Sequence, residues 1–215
     1  EWTKPERMEE PISSAYDDGT PNMSSDGKTM FFTRCPYVNT QANTAQVFEV
    51  ERSGGRWGEP VRIIPGGDST MVAHPAISPD GNTLYFVSDR AGGFGGKDIY
   101  KSDFVAGEWS AAVNMGSSIN TPGDEMYPYV RSDGTLYFCS NGHIGFGGLD
   151  IFRVETDEQG RQSVRNMGKP LNSESDDFGI VFEGKRDAGF FSSSRGSAKG
   201  YDDIFSFALP EVNYE

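Results

Sequence analysis

The chain has 215 residues, and its 32 acidic against 19 basic side chains give a formal net charge of -13, which excludes the basic face of a nucleic-acid binder and docking by charge on an anionic bilayer. No apolar run approaches the length of a membrane span. Two cysteines, Cys35 and Cys139, form neither a disulfide framework nor a Cys-x-x-Cys metal site, and 27 glycines among short apolar runs predict many short strands with tight turns.

In chain order, "EWTKPERM" (1–8) has the pattern of two later segments, "RWGEPVRI" (56–63) and "EWSAAVNM" (108–115). The chain opens on Glu with no signal peptide, so it reads as a processed form or an excised fragment. The first unit carries the turn "SSDGKTMFF" with Asp26, then "AQVFEV", then the Trp57 segment. The second unit is the clearest. "HPAIS" (74–78) is a strand, Asp80-Gly81 a hairpin turn, and "TLYFVS" a strand with both faces covered. "GGFGGKDIY" (92–100) leads into the third strand, and "EWSAAVNMG" is the fourth. The third unit repeats the turn at Asp133, the loop "GFGGLDIF" (145–152) and the closing "RNMGKPLN" (165–172). The fourth unit has a degraded turn, "EGKRDAGFF", then "KGYDDIF" (199–205), and no outer strand after it.

The period is constant. Asp98, Asp150 and Asp203 lie 52 and 53 residues apart, and Trp57 and Trp109 lie 52 apart. Four strands at a period near fifty predict an all-β propeller, because a lone blade cannot bury both faces. The expected repeats are roughly 9–63, 64–116, 117–168 and 169–210, one domain over 1–215, with 1–8 supplying the outer strand of the last blade and closing the ring. The alternative is a five-bladed ring with one blade upstream.

"ISPDGNTLYFVSDR" (77–90) resembles the WD-like propeller repeats of TolB and its relatives. The longer string from Gly92 to Phe152 is similar to propellers of periplasmic OmpA-family proteins of Bacteroidetes, including components of the type IX secretion system. The resemblance covers nearly the whole chain and is strongest over 74–207; the first blade lacks the Gly-Gly-x-Asp motif. It implies a periplasmic, outer-membrane-associated scaffold whose partners are envelope proteins of a secretion complex. Peptidoglycan would be reached only through a flanking domain that this sequence does not contain.

Read from the residues, the Asp-Gly turns are self-bonded turns rather than calcium loops. The Gly-Gly-x-Asp motifs lack the Lys-Ser/Thr of a phosphate loop, and the expectation is a turn against the neighbouring blade, pinned by its Asp. Arg34, Arg90 and Arg195 each follow a second strand and are expected in salt bridges between blades; with Phe94, His143 and Phe146 they are also the candidate binding residues. Asp17-Asp18, Asp68, Asp124-Glu125 and Asp176-Asp177 recur ahead of the inner strands, near the expected channel mouth. Of these, Glu125 and Asp177 are the candidates for holding a cation. His143 with Asp150 is a weaker candidate pair. No Gly-x-Ser-x-Gly elbow and no evident carboxylate pair occur, so no catalytic residue and no cofactor is expected. The expected function is a non-catalytic protein-interaction scaffold, with a carbohydrate- or peptidoglycan-fragment-binding propeller, or a degenerate glycosidase, as the alternative.

Overall fold

The computed structural model describes residues 3–38, 41–42, 44–63, 70–196 and 201–209, and every element among them is a β-strand. Four antiparallel sheets form a four-bladed propeller. Blade one contains β1 (Asp17–Met23), β2 (Thr29–Cys35), β5 (Gln46–Ser53), β6 (Arg56–Trp57) and β7 (Val61–Arg62), with a small ribbon of β3 (Tyr37–Val38) and β4 (Gln41–Ala42) beside it. Blade two contains β8 (Val72–Ile77), β9 (Thr83–Ser88), β10 (Asp98–Val105), β11 (Glu108–Trp109) and β12 (Val113–Asn114). Blade three is β13 (Glu125–Val130), β14 (Leu136–Ser140), β15 (Asp150–Thr156) and β16 (Gln162–Asn166). Blade four is β17 (Asp177–Phe182), β18 (Ala188–Ser193) and β19 (Asp203–Ala208).

The outer strands of blades one and two are each broken into two short pieces, because Pro60 in one and Ser110–Ala112 in the other interrupt the ladder. The expected N-terminal closing strand does not appear among the described residues: 3–9 carry no strand, Trp2 lies outside them, and Ile12 packs against Met30, Phe32 and Val50 of blade one.

The Asp-Gly hairpins form as expected. Gly27, Gly81 and Gly134 take the left-handed conformation, at φ of 69°, 74° and 87°, and Asp26, Asp80 and Asp133 each accept the amide of the residue two further on. Three consecutive joints, from blade one to blade four, each have an apolar seam. Phe31 and Val47 of blade one meet Val72, Leu84 and Phe86 of blade two. Ile99 meets Ile119, Leu136 and Phe138, and Tyr137, Cys139 and Ile151 meet Ile180, Phe182 and Phe191. Each fully buried Ile or Val here contributes about 1.5–3 kcal/mol.

The glycine motif belongs to these seams. A Cβ on Gly95 would come within 2.2 Å of the Thr121 carbonyl oxygen, and one on Gly147 within 2.2 Å of that of Ser175. The loop lies flat on the next blade and is stitched to it: Glu125 N donates to Lys97 O at 2.7 Å and Asp177 N to Leu149 O at 2.7 Å. Asn120 and Asn172 complete the stitch, each bonding both the amide and the carbonyl of the opposing Ile99 or Ile151.

Candidate functional site

The inner strands β1, β8, β13 and β17 share one irregularity. Each carries a bulge, and in each the bulge holds a left-handed residue: Thr20, His74, Tyr127 and Gly179, at φ of 46°, 50°, 51° and 66°. For Thr, His and Tyr this conformation is strained, and strain of this kind gathers where a fold re-aims side chains. The four bulges surround an axial cavity of about 210 Å³, lined by Asn22, Tyr129, Ser192 and the prolines that follow three of the bulges, Pro21, Pro75 and Pro128.

Within that cavity the His74 ring stacks on Tyr127 at 4.2 Å, and Tyr127 packs on Phe178 at 4.9 Å. The amide of Tyr127 donates to His74 Nδ1 at 3.3 Å, which places the proton of the neutral imidazole on Nε2. Burial, with the Lys97 ammonium as a second cause, holds the His74 pKa at about 4. The signal for this ladder was present in the sequence as a bulky residue before Pro, in "HPAI" and "YPYV". Thr20, Tyr127 and Phe178 were nonetheless not anticipated, and His74 was placed at the start of a strand rather than on the axis.

Arg34, Arg90, His143 and Arg195 prove to be four versions of one device. Each blade stacks an aromatic pair across its second and third strands: Phe32–Phe48, Phe86–Tyr100, Phe138–Phe152 and Phe191–Phe205. A basic side chain sits against each pair. Three of the four also hold the connection from the preceding blade: Arg34 donates to Ile12 O, His143 Nε2 lies 2.8 Å from Ile119 O, and Arg195 donates to Leu171 O.

The salt bridges of Arg34 and Arg195 lie within blades, not between them as expected, because each acid lies at the start of its own blade's inner strand. Arg34 meets Asp18 at 2.5 Å and Arg195 meets Asp177 at 2.5 Å. Arg34 also sits inside β2 rather than after it. In blade two the acid's place is taken by Val72, and one buried guanidinium nitrogen of Arg90 has no hydrogen-bond partner among the described residues.

The recurrent acids are consumed in the same way. Asp177 accepts Ser173 N and Oγ, Ser193 Oγ and Arg195. Glu125 accepts Thr121 N and Oγ1 and Ser140 Oγ, and burial raises its pKa against these bonds. Asp124 pairs with Lys97 across the seam, and Asp176 accepts the Leu149 amide. Asp68 lies outside the described residues. Among the described residues no three His, Cys, Asp or Glu side chains gather as a metal site. His143 and Asp150 are not joined: the Asp150 carboxylate accepts the amides of Phe146 and Gly147.

That last bond fixes what the loops present. Asp98 accepts the amides of Phe94 and Gly95, as Asp150 does in blade three. Phe94 and Phe146 are therefore clamped at the backbone while their rings stand 48% and 47% exposed, and Ile144 beside Phe146 is 97% exposed. The register puts these loops on one end of the propeller: Val72, Ser88 and Asp98 align across blade two, and Glu125, Ser140 and Asp150 across blade three. Lys169 Nζ lies 5.5 Å over the Phe146 ring.

No family model and no curated protein matches the chain. Solved structures do, at low identity. A putative TolB from Agrobacterium tumefaciens matches with TM-score 0.51 and 16% identity, over 84% of this chain and 71% of that one. An α-L-arabinofuranosidase from Lactobacillus brevis matches with TM-score 0.53 and 11% identity, over 94% and 76%. A puromycin-hydrolysing peptidase of Mycobacterium tuberculosis matches with TM-score 0.54 and 15% identity, over 94% of this chain. The chain spans 30% of that peptidase and 42% of the TolB from Acinetobacter baumannii. The fold is thus that of a TolB-like β-propeller, an architecture that enzymes also use. Among the described residues no helix is long and apolar enough to cross a membrane.

Proposed function

We propose that this propeller is a non-catalytic protein-docking module of the periplasm, acting as a scaffold within an outer-membrane-associated complex of the type IX secretion kind. The observation that carries the docking reading is the outward-standing trio Phe94, Ile144 and Phe146 on one end of the ring, with Phe94 and Phe146 clamped at the backbone. Exposed apolar side chains on rigid loops suit a protein partner, since little ordering entropy is lost on binding. The periplasmic and secretion-system parts rest on the likeness of the glycine-motif string to the propeller of the PorE component of that system.

The test is site-specific photocrosslinking at position 144 in cells of the source organism, with Phe94→Ser/Phe146→Ser added in the control variant. The expected result is a reproducible adduct with an envelope protein, lost in the variant while its Tm stays within about 2 °C, as befits surface sites. Adducts only with cytoplasmic proteins would overturn the location, and absence of any protein adduct would overturn the docking reading. A second reading, binding of a carbohydrate fragment, is favoured by one observation, the His74–Tyr127–Phe178 stack lining the axial cavity. Saturable perturbation of those side-chain resonances by a peptidoglycan fragment would support it.

A further inference from the structure

The third strand of blades one, two and three is covered on its outer side by a further strand, and β19 is not, among the described residues. The residue that leads into each seam shows the consequence. Val47, Ile99 and Ile151 are all 0% exposed, whereas Ile204 in the matching place is 78% exposed. An uncovered strand edge is a template for another strand.

The chain contains one segment built to cover it. "EWTKPERM" matches "RWGEPVRI" at Trp, Pro and Arg, with Met8 in place of Ile63. The link that follows is already folded as in the other blades. Ile119 N and Asn120 N donate to Gly116 O, and Asn172 N to Gly168 O. In the N-terminal segment Ile12 N and Ser13 N donate to Glu9 O in the same way. The step from the residue just past the outer strand to the buried anchor is four in Met115 to Ile119 and Met167 to Leu171, and Met8 to Ile12 has the same step. Blades one and four both line the axial cavity, so the edge and the segment belong to neighbouring blades of one ring.

We infer that the outer edge of β19 is a docking edge whose occupant is residues 3–8 of the same chain, with Arg7 opposite Phe205 and the Met8 amide donating to the Ile204 carbonyl. The register is fixed by three precedents. Arg62 faces Phe48, Asn114 faces Tyr100 and Asn166 faces Phe152. Ile63 N donates to Val47 O at 3.0 Å, Met115 N to Ile99 O at 3.1 Å and Met167 N to Ile151 O at 3.0 Å. This seam, like the one between blades one and two with its Arg62, lacks one feature of the other two. The asparagines that stitch blade two to three and three to four, Asn114 with Asn120 and Asn166 with Asn172, are replaced by Arg7 and Ser13. The docked strand therefore closes the ring at a joint without the asparagine pair.

The test is a cysteine pair, Glu6→Cys with Ser206→Cys, in a Cys35→Ser background of the whole chain. The inferred register makes these positions directly opposed, about 5.5 Å apart at Cα, within disulfide reach. Lys101→Cys with Val113→Cys, opposed in blade two, is the positive control. Under mild oxidation the first pair should close intramolecularly to within about twofold of the control yield, read by peptide mapping of the monomer. A pair displaced by three residues along the strand, Thr3→Cys with Ser206→Cys, should remain largely reduced. Disulfide-linked dimers in place of monomers would show that a second copy supplies the strand and overturn the inference. A control that closes while the test pair does not would overturn it as well.

Discussion

Asp177→Asn is the sharpest probe of how the blades are held. The carboxylate is fully buried in the protein, and all its partners are donors: Ser173 N and Oγ, Ser193 Oγ, and Nε and a terminal nitrogen of Arg195. An asparagine keeps one acceptor and turns an NH2 group toward the remaining donors. Breaking one side of a buried pair costs about 3–5 kcal/mol. Arg195 is a quarter exposed and keeps its bonds to the Pro170 and Leu171 carbonyls, which places the cost near about 3 kcal/mol, at the lower end of that range. At about 2–4 °C per kcal/mol for a chain of this size, Tm falls by about 6–12 °C. Glu125 occupies the same place in blade three without an arginine, and its two hydroxyl partners can reorient. Glu125→Gln should therefore cost about 1 kcal/mol or less. Urea unfolding at pH 7 measures both, with a constant m confirming that stability alone has changed. Equal losses in the two variants would refute the assignment of the blade-four cost to the arginine pair. So would failure of Asp177→Leu with Arg195→Met to recover most of the loss.

Three further outcomes follow from the geometry. Folding holds His74 neutral, at about 4 against an ordinary 6.5, so the unfolded chain takes up this proton first as pH falls. The His74 contribution is intact above about pH 6.5 and lost progressively toward pH 4, amounting to about 3 kcal/mol at 1.36 kcal/mol per unit; the stability difference between wild type and His74→Gln, followed by urea midpoints across that window, should shrink accordingly. Gly147→Ala drives a Cβ into the Ser175 carbonyl and should cost about 3 kcal/mol, whereas Gly160→Ala, left-handed but in open space, should cost about 1 kcal/mol, both read by thermal melts. Cys139 is fully buried with its thiol pushed up to about 12, so it should resist iodoacetamide at pH 8 until the protein unfolds, as followed by mass spectrometry.

The four-bladed architecture was legible because a blade writes the same turn chemistry at a fixed period. Asp26, Asp80 and Asp133 had to recur if every blade needs the same left-handed glycine after them. The glycine motif was legible as a turn, and its purpose, close passage over the next blade, could be named without coordinates. The role of the basic residues was only half visible. Arg90 and Arg195 share a sequence position, but Arg34 reaches the same spot from two residues earlier, and His143 substitutes for an arginine altogether. Spacing finds repeated positions; it does not find repeated places reached by different routes. The axial ladder was missed for a related reason. Its members are Thr, His, Tyr and Gly, so no residue type repeats; the bulge conformation is common to all four, and a following proline to three.

That bulge raises a question of energetics that a pair of variants can answer. Gly179 shows that glycine satisfies the axial conformation without strain, yet three blades keep bulkier residues there, at about 1–2 kcal/mol each. Something must offset that cost, and the contacts differ by blade. Thr20 Oγ1 shares a 2.6 Å hydrogen bond with Thr33 Oγ1, which in turn accepts the His74 amide at 2.9 Å, so blade one is tied to blade two through a hydroxyl pair. Tyr127 instead bridges His74 and Phe178, tying blades two, three and four through stacked rings worth about 0.5–1.5 kcal/mol per contact. Thr20→Gly exchanges released strain for one lost hydrogen bond and should leave stability within about 1 kcal/mol of wild type. Tyr127→Gly releases similar strain but loses two ring contacts and the buried surface of a tyrosine, and should destabilise by about 2–4 kcal/mol. If Tyr127→Gly proved neutral, the ladder would not brace the ring, and the retained strain would have to serve a ligand in the axial cavity instead.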